Sequence, residues 1–342
     1  MTKTLARVLD GELILSTATV DTPEGLFHGG ACSFTEEDAS VRASSEAAER
    51  HTLLVEGPRH VVPTARVSAA GKALEQIIEA TTPAEEWVPA RRMRSGDPVW
   101  LPADLVLLRW RGSRELPVQQ TSVGSAAHPD RARAVESGAR ECLERYAVRR
   151  VWSGTTRLAD VTDHLRSAVP ASLSRALDRH GLRAHAWLVG ATLPAAVVVV
   201  MVSSSRNRAT FGSSCAPTLE DGLRHALCEA ISVRAAFADA NGLKDNFTMA
   251  DERVDYALRA SSFQDAFLAF LRRLECTTDP GEGRGREIDI VAYLENEFHA
   301  APVVFDLGRS GELHVVKVVV PSPQFFLPRR HCGHVLAPGY LE

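Results

Sequence analysis

The sequence lacks any excess of positive charge. Its 39 Lys and Arg face 43 Asp and Glu, a formal charge of -4, whereas a chain built to hold a nucleic-acid backbone carries the opposite balance. It also lacks a long apolar run. The most apolar stretch, Ala195 to Val202, falls far short of the ~20 residues that cross a bilayer and is expected to be a buried strand. The N-terminus, MTKTLARVLDGELIL, has neither a long apolar h-region nor a small-residue cleavage site, so no signal peptide is expected. The six cysteines, at 32, 142, 215, 228, 276 and 332, include no C-x-x-C pair. A chain of 342 residues does not need disulfide staples, and a reducing cytoplasm is the expected compartment. Missing as well are the G-K-[ST] phosphate loop, a G-x-G-x-x-G after a strand and the G-x-S-x-G elbow, which sets aside three familiar catalytic folds.

What is present is an ordinary globular balance, 45% hydrophobic and 24% charged, enough to bury a sizeable core. Arg7 to Thr19 reads as one or two strands, with Gly29-Gly30 marking a turn. From Thr35 an Ala/Glu-rich stretch without Gly or Pro until Gly57 predicts a helix capped by Thr35, with Glu36, Glu37 and Asp38 in its first turn. VVPTARVSA reads as an extended return, and PAEEWVPARRMRSGDPVWLPADLVLL as strand, turn, strand. RARAVESGARECLERYAVRRVW predicts a second helix, DHLRSAVPASLSRALDRHG an amphipathic one, RAHAWLVG and AAVVVVMVS two strands. A third Ala/Glu helix follows in TLEDGLRHALCEAISVRAAFAD, another near SFQDAFLAFLRRL, and a last strand in HVVKVVVP. DPGEGRGR reads as an exposed loop.

Within this order lies a repeat. Three times a small-residue stretch leads into an Ala/Glu helix: GGACSFTEEDA, GSAAHPDRARA and GSSCAPTLEDG. Each is expected to be a loop before its helix, and the whole a single α+β domain with three loop-helix repeats.

The first two helices both spell E-x-x-E-R: Glu46, Glu49 and Arg50, then Glu141, Glu144 and Arg145, the latter preceded by Ser137. Residues three and four apart share a helix face, so each helix presents two carboxylates and a guanidinium together. Carboxylates holding Mg2+, with Arg beside them for phosphate, make a coherent triphosphate site. Each motif alone reads equally as a solvated face with a weak i, i+4 ion pair. In the third helix, Glu229 and Arg234 are five apart and so about 140° apart, which by spacing alone does not join them at one point. The run Thr121 to His128 reads as a backbone cradle or as a tight connection. His331, Cys332 and His334 sit too close together for a structural zinc site.

At this point the sequence resembles the YcaO-like family. EEWVPARRMRSGDPVWLPADLVLL, TSVGSAAHPDRARAVESGARECLERYAV, FGSSCAPTLEDGLRHALCEAISVR and VVKVVVPSP carry the resemblance, which runs with gaps from about Gly29 to Pro323. It divides the chain into N-terminal strands (1–28), a YcaO-like domain (29–323) and a Pro-punctuated tail (324–342). It implies a YcaO-type fold of mixed β-sheets whose three repeats form a Mg2+-ATP site. On that basis Glu46, Glu49, Arg50, Ser137, Glu141, Glu144, Arg145, Glu229 and Arg234 bind the cofactors, and Glu46, Glu49, Glu141 and Glu144 hold the metal. No residue is assigned as a catalytic acid or base.

The resemblance further implies ATP-dependent activation of a peptide backbone amide, leading to an azoline, thioamide or amidine in a ribosomally made peptide. The partners it implies are the precursor peptide and a leader-binding companion protein, with no nucleic acid or membrane; a homodimer is compatible with it. The sequence departs from the family at several points. The G-K-G turn reads Gly30-Ala31-Cys32, so its Lys is absent, and Arg42 stands where a Ser is expected. Arg42, one turn before Glu46, is the cation expected to replace that Lys near phosphate. Val123, Tyr146 and Ser232 replace the family's Asn, Asp and Gln, and the tail lacks its P-x-P-x-P ending. These departures motivate two alternatives: a catalytically silent partner of an active enzyme, and an accessory factor for modification of a ribosomal protein.

Overall fold

The computed structural model describes residues 1–63, 85–108, 120–190, 193–204, 208–242, 264–276, 289–322 and 325. The expected return strand beyond Pro63, the Arg/Gly loop near Pro280, the His331–Cys332–His334 group and the tail lie outside the described residues. The architecture is mixed α+β. In chain order the first part comprises β1 (Thr2–Val8), β2 (Leu13–Thr22), β3 (Gly25–Ser33), α1 (Glu36–His51), β4 (Val62–Pro63), β5 (Glu86–Arg92), β6 (Pro98–Pro102) and α2 (Ala103–Val106). Next come β7 (Ser125–His128), α3 (Arg131–Trp152), β8 (Leu158–Asp160), α4 (Thr162–Ala168), α5 (Ala171–Arg179), β9 (Leu182–Val189), β10 (Ala196–Ser204), β11 (Arg208–Ala216) and α6 (Leu219–Gly242). The last are α7 (Gln264–Leu274), α8 (Ile290–Phe298), β12 (Val303–Ser310) and β13 (Leu313–Val319).

The strands form three sheets: β1-β2-β3, β11-β10-β9-β8, and β4-β5-β12-β13-β7 with β6 beside β5. The apolar run in β10 is explained by burial on both faces. Val197, Val199 and Met201 pack with α3 and α7, while Val198, Val200 and Val202 pack with α4, α5 and α6. Helix α3 bridges two sheets, since the same cluster holds Val316 and Val318 of β13.

The three small-residue stretches read as loops are strands. Gly29 and Gly30 lie inside β3, Ser125–His128 is β7, and Phe211–Ala216 belongs to β11. Their glycine is explained by a close approach, not by a turn. A Cβ on Gly29 would stand 2.2 Å from the Ala43 carbonyl oxygen and 2.4 Å from the Ala47 nitrogen of α1. A Cβ on Gly212 would stand 2.1 Å from the Ala226 oxygen and 2.6 Å from the Ala230 nitrogen of α6. Each helix therefore lies directly on the strand before it, with an alanine stripe facing a glycine. In the middle unit the small residue is on the helix: a Cβ on Gly138 would come 2.5 Å from the Gly124 oxygen.

The three helices start alike. Thr35 accepts from Asp38 N, Asp130 from Ala132 N and Arg133 N, and Thr218 from Asp221 N, each satisfying first-turn donors. The units also close on one another in order: α1 packs on β7, α3 on β11, and α6 on β3. At the last junction the buried Cys32 and Cys228 thiols lie next to one another.

Other local readings differ for plain reasons. The single amphipathic helix expected after Asp163 is two short ones, split at Pro170, whose ring cannot continue a helix. Helix α1 ends at His51 and widens into a π turn over Thr52–Glu56, short of Gly57. The extended stretch expected after Leu101 closes into the single turn of α2.

The glycine contacts make a paired test. Gly29→Ala is expected to lower the unfolding free energy by about 1–3 kcal/mol through overpacking. Gly30→Ala, whose Cβ would meet open space, should cost less than about 0.5 kcal/mol. Urea denaturation of the two variants beside the wild type checks this, and equal losses would contradict the close approach.

Candidate functional site

The last strands of the three sheets, β3, β7 and β11, end beside one another. An end strand carries backbone N–H groups with no neighbouring strand to accept them. Here glutamates accept them. Gly30 N donates to Glu46 at 2.6 Å, Gly124 N just before β7 to Glu141 at 3.0 Å, and Ser213 N to Glu229 at 2.5 Å. In each case the carboxylate comes from the helix that follows the strand.

The second glutamate of a helix reaches the next unit instead. Glu49 of α1 accepts from Ala127 N of β7 at 2.9 Å. Glu144 of α3 accepts from Cys215 N at 2.9 Å and from the Ser213 hydroxyl at 2.7 Å, both on β11. Thus E-x-x-E is a two-strand clamp: the first carboxylate holds its own strand and the second holds the neighbour's. Glu229 and Glu144 meet at Ser213, which explains why the third helix belongs with the other two despite its different spacing.

The arginines are placed among these acids. Arg50 donates to Glu46 at 2.5 Å and to the His28 carbonyl at 2.7 Å. Arg145 lies 3.9 Å from Glu141 and 4.0 Å from Glu144. Ser137 is exposed one turn before Glu141 on α3. Arg234 is half-buried further along α6, and its five-residue offset turns it away from the line of Glu229. Arg42 lies 3.9 Å from Asp38; its Nη1 is shielded from solvent and makes no hydrogen bond among the described residues.

The electrostatics favour a bound cation. Burial, then the Glu141 and Glu46 charges, hold the Glu49 carboxyl well above the usual carboxylate range, and neither the Ala127 N–H nor Arg50 cancels this. Such a cluster of like charges is relieved by a metal ion. Among the described residues no three His, Cys, Asp or Glu form a preformed cage. Magnesium does not need one, because it keeps several waters and phosphate oxygens and takes one or two carboxylates. The donor set, all hard oxygens, fits that ion, and the Arg42 Nη1, held by a long ion pair to Asp38 but by no hydrogen bond, fits an anion.

The thiols nearby do not fit a nucleophile. Burial raises Cys142 strongly, and burial with the Glu144 charge pushes Cys215 up to about 12; both are inert packing groups. Sequence reasoning missed the role of Ser213 and the strand-edge donors, because a Gly/Ser/Ala stretch carries little strand signal. It also missed His225, one turn before Glu229, which burial and then Arg42 hold below its usual value. The equivalence of Arg42, Ser137 and His225, each four residues before the glutamate that holds its own unit's strand (Glu46, Glu141 and Glu229), was available in the repeat.

A family model described as "YcaO cyclodehydratase, ATP-ad Mg2+-binding" matches residues 29–323. Among solved structures the fold is similar to a YcaO from Methanopyrus kandleri bound with AMPPCP and Mg2+, with TM-score 0.72, 19% identity, and 94% of this chain and 85% of that chain covered. It is similar to the E. coli microcin synthetase McbBCD complex with pro-MccB17 bound, with TM-score 0.70, 14% identity, and coverage of 99% and 95%. A heterocyclase in complex with substrate and cofactor gives TM-score 0.69, 15% identity, 93% of this chain and 49% of that chain. No curated protein matches the chain. At these identities the likenesses establish the fold. No helix among the described residues is long and apolar enough to cross a membrane.

Glu49→Gln tests the charge cluster. Glutamine still accepts from Ala127 but carries no charge. Because the folded-state pKa of Glu49 is raised, its contribution to stability is lost as pH rises through that value. The variant escapes this loss. Without magnesium it is expected to melt above the wild type at about pH 8, with the gap closing toward about pH 5. Scanning calorimetry reads both; a variant that melts lower at every pH would refute the repulsion.

Proposed function

The chain belongs to the YcaO family, whose cofactors are ATP and Mg2+, and from that premise we propose that it activates a peptide backbone amide by ATP-dependent O-phosphorylation. The observation that carries this reading is the placement of Glu46, Glu49, Glu141, Glu144 and Glu229 on strand-edge N–H groups beside arginines. Carboxylates alone would repel a triphosphate. Glu46, Glu49, Glu141 and Glu144 would hold magnesium, and Arg50, Arg145 and Arg42 would face phosphate. When bound, ATP supplies the phosphoryl group that turns the amide oxygen into a leaving phosphate.

The chain's own part is rigid placement. A carboxylate fixed by a backbone N–H holds a metal without reorganising, and preorganised charge is the larger part of phosphoryl-transfer catalysis. The attacking group expected from the family resemblance is a Cys, Ser or Thr side chain of the peptide, a sulfide or an amine, and the buried thiols of Cys142 and Cys215 do not compete with it. The product is then an azoline, a thioamide or an amidine in a ribosomally made peptide. A precursor peptide and a leader-binding companion are the expected partners; the solved microcin synthetase is itself a McbBCD complex with pro-MccB17 bound.

One observation favours a second reading, a catalytically silent partner of an active enzyme. Where the family has its G-K-G turn, this chain has Gly30-Ala31-Cys32, with Ala31 at the place of the lysine and Cys32 buried in β3 next to Cys228 of α6. Arg42 is then the cation left to serve in place of the lysine, and its Nη1, which makes no hydrogen bond and only a 3.9 Å ion pair to Asp38, supports that role.

Calorimetry with Mg2+-ATP separates the two readings. The wild type is expected to bind, Glu144→Gln to lose binding, and Arg42→Ala to weaken it by about tenfold or more, the range of one charge-assisted hydrogen bond. A folded wild type that binds no Mg2+-ATP would leave the silent partner standing.

A further inference from the structure

A second cation is buried in the sheet beneath these carboxylates, near Glu141. Lys317 lies at the centre of β13 with 3% of its surface exposed. Side chains two apart on a strand share a face, and its neighbours on that face, Val315 and Val319, belong to an apolar cluster with Leu105, Leu107 and Phe305. An ammonium there is costly, since its charge loses hydration. Burial accordingly lowers its pKa to about 8, with Glu141 opposing that shift. A methionine would fill the same volume without this cost, so the charge and its donors call for a use.

The hydrogen bond that Lys317 makes shows the use. Its Nζ donates to the Thr121 carbonyl, three residues before Gly124. The segment between is tightly held: Ser125 N donates to the Ser122 carbonyl at 2.9 Å, and Val318 N, next to Lys317, donates to the Gly124 carbonyl at 2.8 Å. Gly124 has φ +85°, and a Cβ there would stand 2.0 Å from the Val318 oxygen, so the backbone has one way through. Its N–H then points at Glu141, and three residues on, Ala127 N points at Glu49. Ser125 lies opposite Lys317 in the register of β7 and β13. A tie at each end of this segment therefore sets the direction of two donors that hold carboxylates from two different helices.

We infer that Lys317 is a positioning residue: by holding the Thr121 carbonyl it fixes the segment from Thr121 to Gly124 and so aims the Gly124 and Ala127 N–H groups at Glu141 and Glu49. Its consequence for magnesium rests on the function proposed above. The tie itself does not.

Two measurements on the full chain test it, with Lys317→Met and Lys317→Arg beside the wild type. The first is amide hydrogen exchange over residues 120–128 without nucleotide. Lys317→Met is expected to speed exchange there about tenfold, the scale of one hydrogen bond to a charged donor, while α6 and β10 keep wild-type rates. Lys317→Arg, which keeps a charged donor, should return the rate most of the way. The second is the Mg2+ concentration needed for half-maximal ATP binding, expected to rise about tenfold in Lys317→Met and to recover in Lys317→Arg. Unchanged exchange over 120–128 would overturn the inference. So would a uniform rise across all strands without rescue by arginine, which marks a packing role alone. If Lys317→Met does not fold, Lys317→Gln, neutral and one atom shorter, is judged by the same exchange criterion. A wild type that binds no Mg2+-ATP would remove the proposed function and leave the exchange result to decide this inference.

Discussion

The backbone N–H at the end of a sheet is the constraint from which this structure follows. Such a group must find an acceptor, and an unmet end strand invites pairing with another chain. Three sheets end here, and at each end a glutamate from a helix takes the place of the missing strand. Gly30, Gly124, Ala127, Ser213 and Cys215 donate to Glu46, Glu141, Glu49, Glu229 and Glu144 in turn. One interaction thus closes the sheets, fixes the helices across them and gathers the carboxylates.

The gathering has an electrostatic cost, visible in the pKa of Glu49, which burial raises first and the Glu141 and Glu46 charges raise further. Protein stability alone would not favour three mutually repelling acids at a junction of sheets. The arrangement is explained if the repulsion is relieved by a cation, which the family's magnesium provides. A site strained when empty and relaxed when filled binds its ion more tightly, because the ion recovers the repulsion. The hydrogen-bonded clamps keep the carboxylates from swinging apart to escape one another, so strain and geometry are maintained by the same bonds.

The departures from the family pattern gain meaning within this frame. They fall on positions around the carboxylates, not on the carboxylates that hold strand edges. Ala31 in place of the lysine is a small packing residue against Ala43 and Ala47 of α1, and Cys32 beside it is buried at the junction of the first and third units, next to Cys228. Arg42 is on the adjacent helix, paired at 3.9 Å with Asp38 through a nitrogen that makes no hydrogen bond. The strand lacks the lysine and the helix carries Arg42, while the edge-to-glutamate contacts are intact.

The α+β class, the three Ala/Glu helices and the Thr35 cap were legible in the sequence, because these depend on local signals. Thr35 and the first-turn acids mark α1, the 22 residues of α3 match the expected segment, and the double-sided burial of β10 is written in its unbroken valines. The repeat and its E-x-x-E-R motifs were legible too, as were the motif acids. What sequence could not decide was that the small-residue stretches are strands. Glycine at 29 and 212 weakens a strand locally and is favoured only by the helix pressed against it. Nor could spacing join Glu229 to the other acids. On one helix, a residue's neighbours follow from its position in the turn; between helices they follow from Ser213, whose N–H and hydroxyl meet Glu229 and Glu144. Local order was set by the chain itself, and the site was set by which strand edges the fold left open, a property that exists only once three separate sheets end side by side.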